Sequence, residues 1–171
     1  RYLASIEQQM NPALRGRPTI VVPMMTDGTC AIAASVEAKR FGIRTGTMVH
    51  EAKRLCSDLA IVVADHQHYV TFHHQLRAVI EDHIPITRVG SIDEVACRLM
   101  DNENSVEQAT AIARRVKRAI AERVGVCLTC SIGVAPSPLL AKLASDMQKP
   151  DGLVFFEGHN LPHCLFSIAI D

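Results

Sequence analysis

The chain has 171 residues, 48% apolar and 21% charged, which excludes a disordered or fibrous protein and allows one or two small domains. Eighteen Lys and Arg balance eighteen Asp and Glu, so the net charge is zero and any grip on nucleic acid must come from local patches. No stretch approaches the roughly 20 apolar residues that a membrane helix needs. Trp is absent and aromatics make up 4%, which leaves little stacking surface for single strands.

Tyr2–Met10 predicts a helix, because Leu3, Ile6 and Met10 recur at helical spacing, and Asn11-Pro12 stops it. Thr19–Val22 is a β-branched strand ended by Pro23, and Cys30–Ala34 returns beside it as a hairpin. Short helices follow at Val36–Phe41 and Met48–Cys56, and Leu59–Ala64 predicts a fully buried strand. His66–His83 predicts a long helix with Tyr69, Phe72, Leu76 and Ile80 on one stripe. Ile86–Val89 and Val95–Met100 predict strands on either side of Gly90-Ser91-Ile92-Asp93-Glu94. Ser105-x-x-Gln108 is a capping box that opens a helix to about Val124, with Gly125 in a left-handed C-terminal cap. Val126–Val134 predicts a strand, Leu139–Gln148 a helix and Leu153–Phe156 a final strand. The order gives an α+β class with helices on one face of a mixed sheet. Residues 66–156 follow the ferredoxin-like split β-α-β pattern with one element added.

The adjacent acids Asp93 and Glu94 are the most informative pair. Neighbouring side chains on a regular strand point to opposite faces, so both can serve one site only where the backbone bends, and Gly90-Ser91 permits a bend. Two acids held together stay ionised beside a cation, and Mg²⁺ takes carboxylate oxygens with substrate phosphates. The pair therefore reads as a phosphoryl-transfer metal site or as an acidic, solvated turn. Lys39 and Lys149 each stand near a helix end, where a solvated cation is also favoured by the helix dipole.

In their order and spacing, these segments resemble the Y-family (lesion-bypass) DNA polymerases across nearly the whole chain. The matching stretches run from Tyr2–Glu7 and Asn11–Pro18, through Glu37–Gly42, Ser91–Glu94 and Ser131–Ala135, to Lys149-Pro150-Asp151-Gly152. The resemblance implies a right-handed architecture. Residues 1–65 are expected to form a small α/β fingers domain, 66–156 most of a ferredoxin-like palm, and 157–171 the start of a linker to a thumb. It implies translesion, template-directed nucleotidyl transfer with two Mg²⁺ ions. Asp93 would bridge the metals, and Glu94 would lie nearer the attacking hydroxyl. Lys39 and Lys149 would contact the dNTP triphosphate, as point charges.

Primer–template DNA and dNTP are the implied partners, and a sliding clamp is a further one. The family's first strand, with its Asp, precedes the Tyr2 helix and is not in this sequence. The chain therefore reads as a piece of a longer protein and is not expected to polymerise alone. Leu3 falls where the family carries a bulky Tyr or Phe against the sugar. Val36 falls where many members place a phosphate-binding Tyr, and Ser35 is the hydroxyl that would replace it. Lys39 stands for a common Arg, keeping the charge without the fork. Two other readings remain open on the sequence: a non-catalytic paralogue acting as a DNA-repair scaffold, and a palm-type nucleotidyl cyclase.

Other motifs carry less. Cys127-x-x-Cys130, read on a strand, would point to opposite sides, so it is not expected to hold a metal. His66, His68, His73 and His74 read as surface or interface histidines. Arg114, Arg115, Lys117 and Arg118 read as the solvated face of a helix. Six Cys without an export signal suggest reduced thiols, in a bacterial cytoplasm or a eukaryotic nucleus.

Overall fold

The computed structural model describes residues 1–161 and 163. In chain order the elements are α1 (Tyr2–Met10), β1 (Thr19–Val22), β2 (Ala33–Ala34), α2 (Val36–Arg40), α3 (Val49–Leu55) and β3 (Ala60–Val63). They continue with α4 (His66–Glu81), β4 (Ile86–Ser91), β5 (Glu94–Cys97), α5 (Val106–Arg123), β6 (Ile132–Val134), α6 (Pro138–Met147) and β7 (Leu153–Phe155).

The first sheet has the order β2-β1-β3, with β1 antiparallel to β2 and parallel to β3. All four β1 residues are buried, and their alternation divides two cores. Ile20 and Val22 join Ala31, Ala34, Ala38, Ile43, Val49, Ala52 and Cys56. Val21 faces the other way, with Ala4 and Ile6 of α1, Tyr69 and Val79 of α4, and Ile112, Val116 and Ile120 of α5. Packing therefore puts α1 against β1, α4 and α5 in one core. Strand β3 is half-buried rather than fully buried, because it is an edge strand and Val63 is 43% exposed.

Helix caps follow the sequence signals. Asp65 accepts from the Gln67 N–H at 3.0 Å, Ser105 from Gln108 at 3.1 Å, and Ser137 from Leu140 at 3.3 Å. In the Ser105 box the hydroxyl bonds the Gln108 side chain as well. The expected left-handed cap at Gly125 is not formed, since its φ is +155°. That positive φ itself favours glycine there, and the neighbouring Gln9 side chain packs against it, its Oε1 accepting from the Cys127 N–H. The segment after Gly125 turns, with the Leu128 N–H bonding the Gly125 carbonyl at 3.0 Å, and the strand expected from Val126 begins only at Ile132.

The α+β class holds, but the strands of the second half form two separate pairs. β4–β5 is antiparallel and β6–β7 is parallel, and no ladder joins them among the described residues. Cys127 and Cys130 lie outside the strands, and no group of His, Cys, Asp or Glu among the described residues forms a three-ligand cage. The sequence readings beyond residue 161, His163 apart, fall outside the described residues.

Tyr69 ties α4 to α1: its buried hydroxyl donates to Glu7 Oε1 at 2.6 Å, and Tyr2 donates to the Tyr69 carbonyl at 2.8 Å. Burial, then the Glu7 bond, pushes the Tyr69 phenol well above its usual range. Burial, then the Asp93 charge, pushes Tyr2 up to about 12, and burial pushes the Cys130 thiol up to about 11. Each group binds its proton more tightly folded than unfolded. The stability they contribute is fully present below the unfolded values of 9 for the thiol and 10 for the phenols, and is lost as pH rises through the folded ones. The denaturation midpoint is therefore expected to fall above about pH 9. Phenolate absorbance at 295 nm should lag that of free tyrosine and then rise together with unfolding. Ordinary titration of both phenols near pH 10 in the folded protein would contradict this.

Candidate active site

The turn between β4 and β5 is short. Ser91 pairs with Glu94, so Ile92 and Asp93 alone make the reversal. Just before it, Val89 pairs with Val95, which leaves Gly90 as an extra residue in a β-bulge. The bend anticipated at Gly90-Ser91 thus exists, and bulges re-aim the side chains that follow them. The Ser91 hydroxyl donates to Asp93 Oδ1 at 2.8 Å. From α4, His73 Nδ1 lies 2.7 Å from the Ile92 carbonyl and pins the turn from the side.

The two acids meet different partners. The Asp93 charge acts on the Tyr2 phenol at the start of α1. Glu94 reaches across to α6, where its Oε1 accepts from the Lys142 ammonium. Lys142 also lies 3.6 Å from Asp146 one turn on, and Asp146 holds Lys149 at 2.5 Å. Asp146 sits below the usual carboxylate range, because the Lys149 and Lys142 contacts outweigh its burial. Helix α6 can lie this close to β6 because Gly133 has no side chain: a Cβ would stand 2.0 Å from the Ala141 carbonyl oxygen and 2.5 Å from the Ser145 nitrogen.

Beside Asp146 opens a cavity of about 720 Å³ lined by Lys39, Arg44, Thr45, Asp146 and Lys149. Lys39 and Lys149, 110 positions apart in sequence, thus share one basic hollow with Arg44. Burial, and then the charges of Arg1, Lys149 and Arg44, draw the Lys39 ammonium below its usual range. An anion entering the cavity relieves that mutual repulsion. Helix α2 aims Lys39 there through its Ser35 cap and through Glu37, which accepts from Gln8 of α1 at 3.1 Å. Lys117, expected in a solvated face, instead donates to the Asp151 carbonyl at 2.6 Å and to its carboxylate at 2.9 Å, bracing the turn after Lys149.

Ser35 corrects an expectation. It is 1% exposed, and its hydroxyl accepts from the Thr19 and Ala38 N–H groups, so it is an N-cap in the core and presents nothing to a phosphate. Leu3 is half-buried against the main core and does not line the cavity. Arg44, Lys142 and Asp146, which sequence patterns did not single out, belong to this candidate site, as does His73, which read as a surface or interface histidine. Each looks like an ordinary helix or loop charge until the fold brings it to the others.

The scaffold is a small mixed α+β fold in which an exposed carboxylate turn is linked through α6 to a basic cavity. The family described as impB/mucB/samB matches residues 1–146, and the chain belongs to it. It is 36% identical over 171 residues to DNA polymerase IV of Moorella thermoacetica, covering 99% of this chain and 42% of that one. It is 38% identical over 151 residues to DNA polymerase IV of Stenotrophomonas maltophilia, covering 88% of this chain and 41% of that one. Among solved structures, a Y-family DNA polymerase chimera of Dbh and Dpo4 superposes with TM-score 0.90 at 26% identity, over 99% of this chain and 50% of that one. DinB from Sulfolobus solfataricus superposes with TM-score 0.84 at 25% identity, over 94% and 47%. The chain spans less than half the length of these curated relatives.

Proposed function

We propose that a full-length protein containing this chain is a translesion DNA-directed DNA polymerase, and that this chain supplies the nucleotide-binding part of its site. The observation that carries the reading is the physical link from the Asp93–Glu94 turn, through Lys142 and Asp146, to the cavity of Lys39, Arg44 and Lys149. A dNTP places its triphosphate in that basic hollow, where ammonium and guanidinium charges offset the phosphate charge. The donor set fits a hard cation in type. Asp93 and Glu94 offer carboxylate oxygens only, and the field at Glu94 already draws an ammonium. Asp93 and Glu94 would hold a Mg²⁺ ion, and with only two acids here its remaining ligands would have to be phosphate oxygens and water. When bound, Mg²⁺ acidifies the attacking hydroxyl and neutralises the leaving pyrophosphate. Asp93 and Glu94 hold the turn's negative charge beside the primer end, while Lys39, Arg44 and Lys149 orient the triphosphate.

Primer–template DNA and dNTP are accordingly the substrates, and a sliding clamp is the partner that would hold the parent protein on DNA. Primer extension by the full-length protein tests the reading. Mg²⁺-dependent, template-directed incorporation is expected. DNA binding without incorporation would replace it with a repair scaffold, and template-free conversion of NTPs would replace it with a cyclase.

A further inference from the structure

Glu94 is occupied by a cation that the chain itself supplies. Lys142 Nζ contacts its Oε1, and the same ammonium stands 3.6 Å from Asp146 Oδ2. The other oxygen of Asp146, Oδ1, holds Lys149 at 2.5 Å. Four charges are therefore chained in the order minus, plus, minus, plus, from Glu94 at the carboxylate turn through Lys142 and Asp146 of α6 to Lys149 at the wall of the basic cavity. All four side chains are about half exposed, between 43% and 53%. Exposed pairs of this kind are worth little individually, so they exchange partners readily. Arranged this way, the Asp146 charge is spent on Lys149 while Lys142 serves Glu94, and Lys149 is partly masked from an incoming anion.

We propose that Lys142 is the resident counter-ion of Glu94, and that its transfer to Asp146 when a divalent cation takes Glu94 frees Lys149 for phosphate. Lys142 and Asp146 are then positioning residues that couple the metal site to the phosphate cavity. The idea rests on the reading of Glu94 as a metal-binding carboxylate. It adds that metal occupancy is transmitted through α6 before any nucleotide arrives. Lys142 needs only a side-chain rotation to make the exchange, since Asp146 is one helical turn away on the same face.

The test uses the full chain without nucleotide. Side-chain ammonium NMR follows Lys142 and Lys149 during Mg²⁺ addition, while carboxyl resonances of Asp93 and Glu94 report binding itself. In the wild type, both ammonium signals are expected to shift together with the carboxyls. In Asp146→Asn, Lys142 should still shift and Lys149 should not. In parallel, Mn²⁺ affinity should rise about two- to fivefold in Lys142→Met, which removes the competing ammonium, and return in Lys142→Arg. Carboxyl shifts with both ammoniums unmoved, or unchanged Mn²⁺ affinity in Lys142→Met, would overturn the relay and leave the metal site standing. Silent carboxyls throughout would overturn the metal site and the relay together.

Discussion

Asp93→Ala in the full-length protein is expected to lower primer extension by at least about 10³-fold, equivalent to about 4 kcal/mol of transition-state stabilisation. The effect is large because the charge it removes is one of only two carboxylates at the turn, and metal-assisted phosphoryl transfer depends on charge held in place before reaction. Glu94→Ala should lose a similar amount, and it also leaves Lys142 with Asp146 as its carboxylate partner. Neither change should unfold the protein. Both residues lie in an exposed turn, where substitutions typically stay within about 0.5 kcal/mol, or roughly 1–2 °C in Tm. Steady-state incorporation and a thermal melt on the same preparation separate the two effects. If either variant extends primers as well as the wild type, the catalytic assignment is wrong.

The second large effect is structural. Gly133→Ala puts a methyl group into space that α6 backbone already fills, 2.0 Å from the Ala141 oxygen and 2.5 Å from the Ser145 nitrogen. A flexible side chain could swing aside; a helix backbone cannot without moving the helix. Overpacking of this kind costs about 3 kcal/mol, at the upper end of the usual range, or roughly 6–12 °C in Tm for a chain of this size. Because α6 carries Lys142 and Asp146 and leads into Lys149, inorganic triphosphate binding should weaken as well. Gly28→Ala is the control, since an added Cβ there meets nothing within 4 Å. Equal melting of the two variants would refute the close approach.

How much of this was legible in the sequence differs from element to element. Helix α1 spans Tyr2–Met10 as its periodicity and the Asn11-Pro12 stop require, because both signals are local. The strand expected from Val126 begins only at Ile132, and the Cys127 N–H in between bonds the side chain of Gln9, 118 positions away, a partner that no local pattern signals. β3 has the apolar run of a central strand, and only topology makes it an edge. At the site, the Asp93-Glu94 pair and its glycine bend were readable, because adjacency and turn chemistry are written in consecutive letters. Lys39 and Lys149 were readable only through a resemblance in motif order. Arg44, Lys142 and Asp146 were not readable, since an isolated surface charge carries no mark of what faces it. Ser35 shows the opposite failure: a hydroxyl in the right place along the chain faces inward, because the helix start needs it more.

β1 has no solvent side. Its odd and even side chains are structural members of two different interiors, so the strand acts as a party wall. Melting either interior alone would strip one face of that wall and leave its apolar side chains wet, which ties the two halves into one cooperative transition.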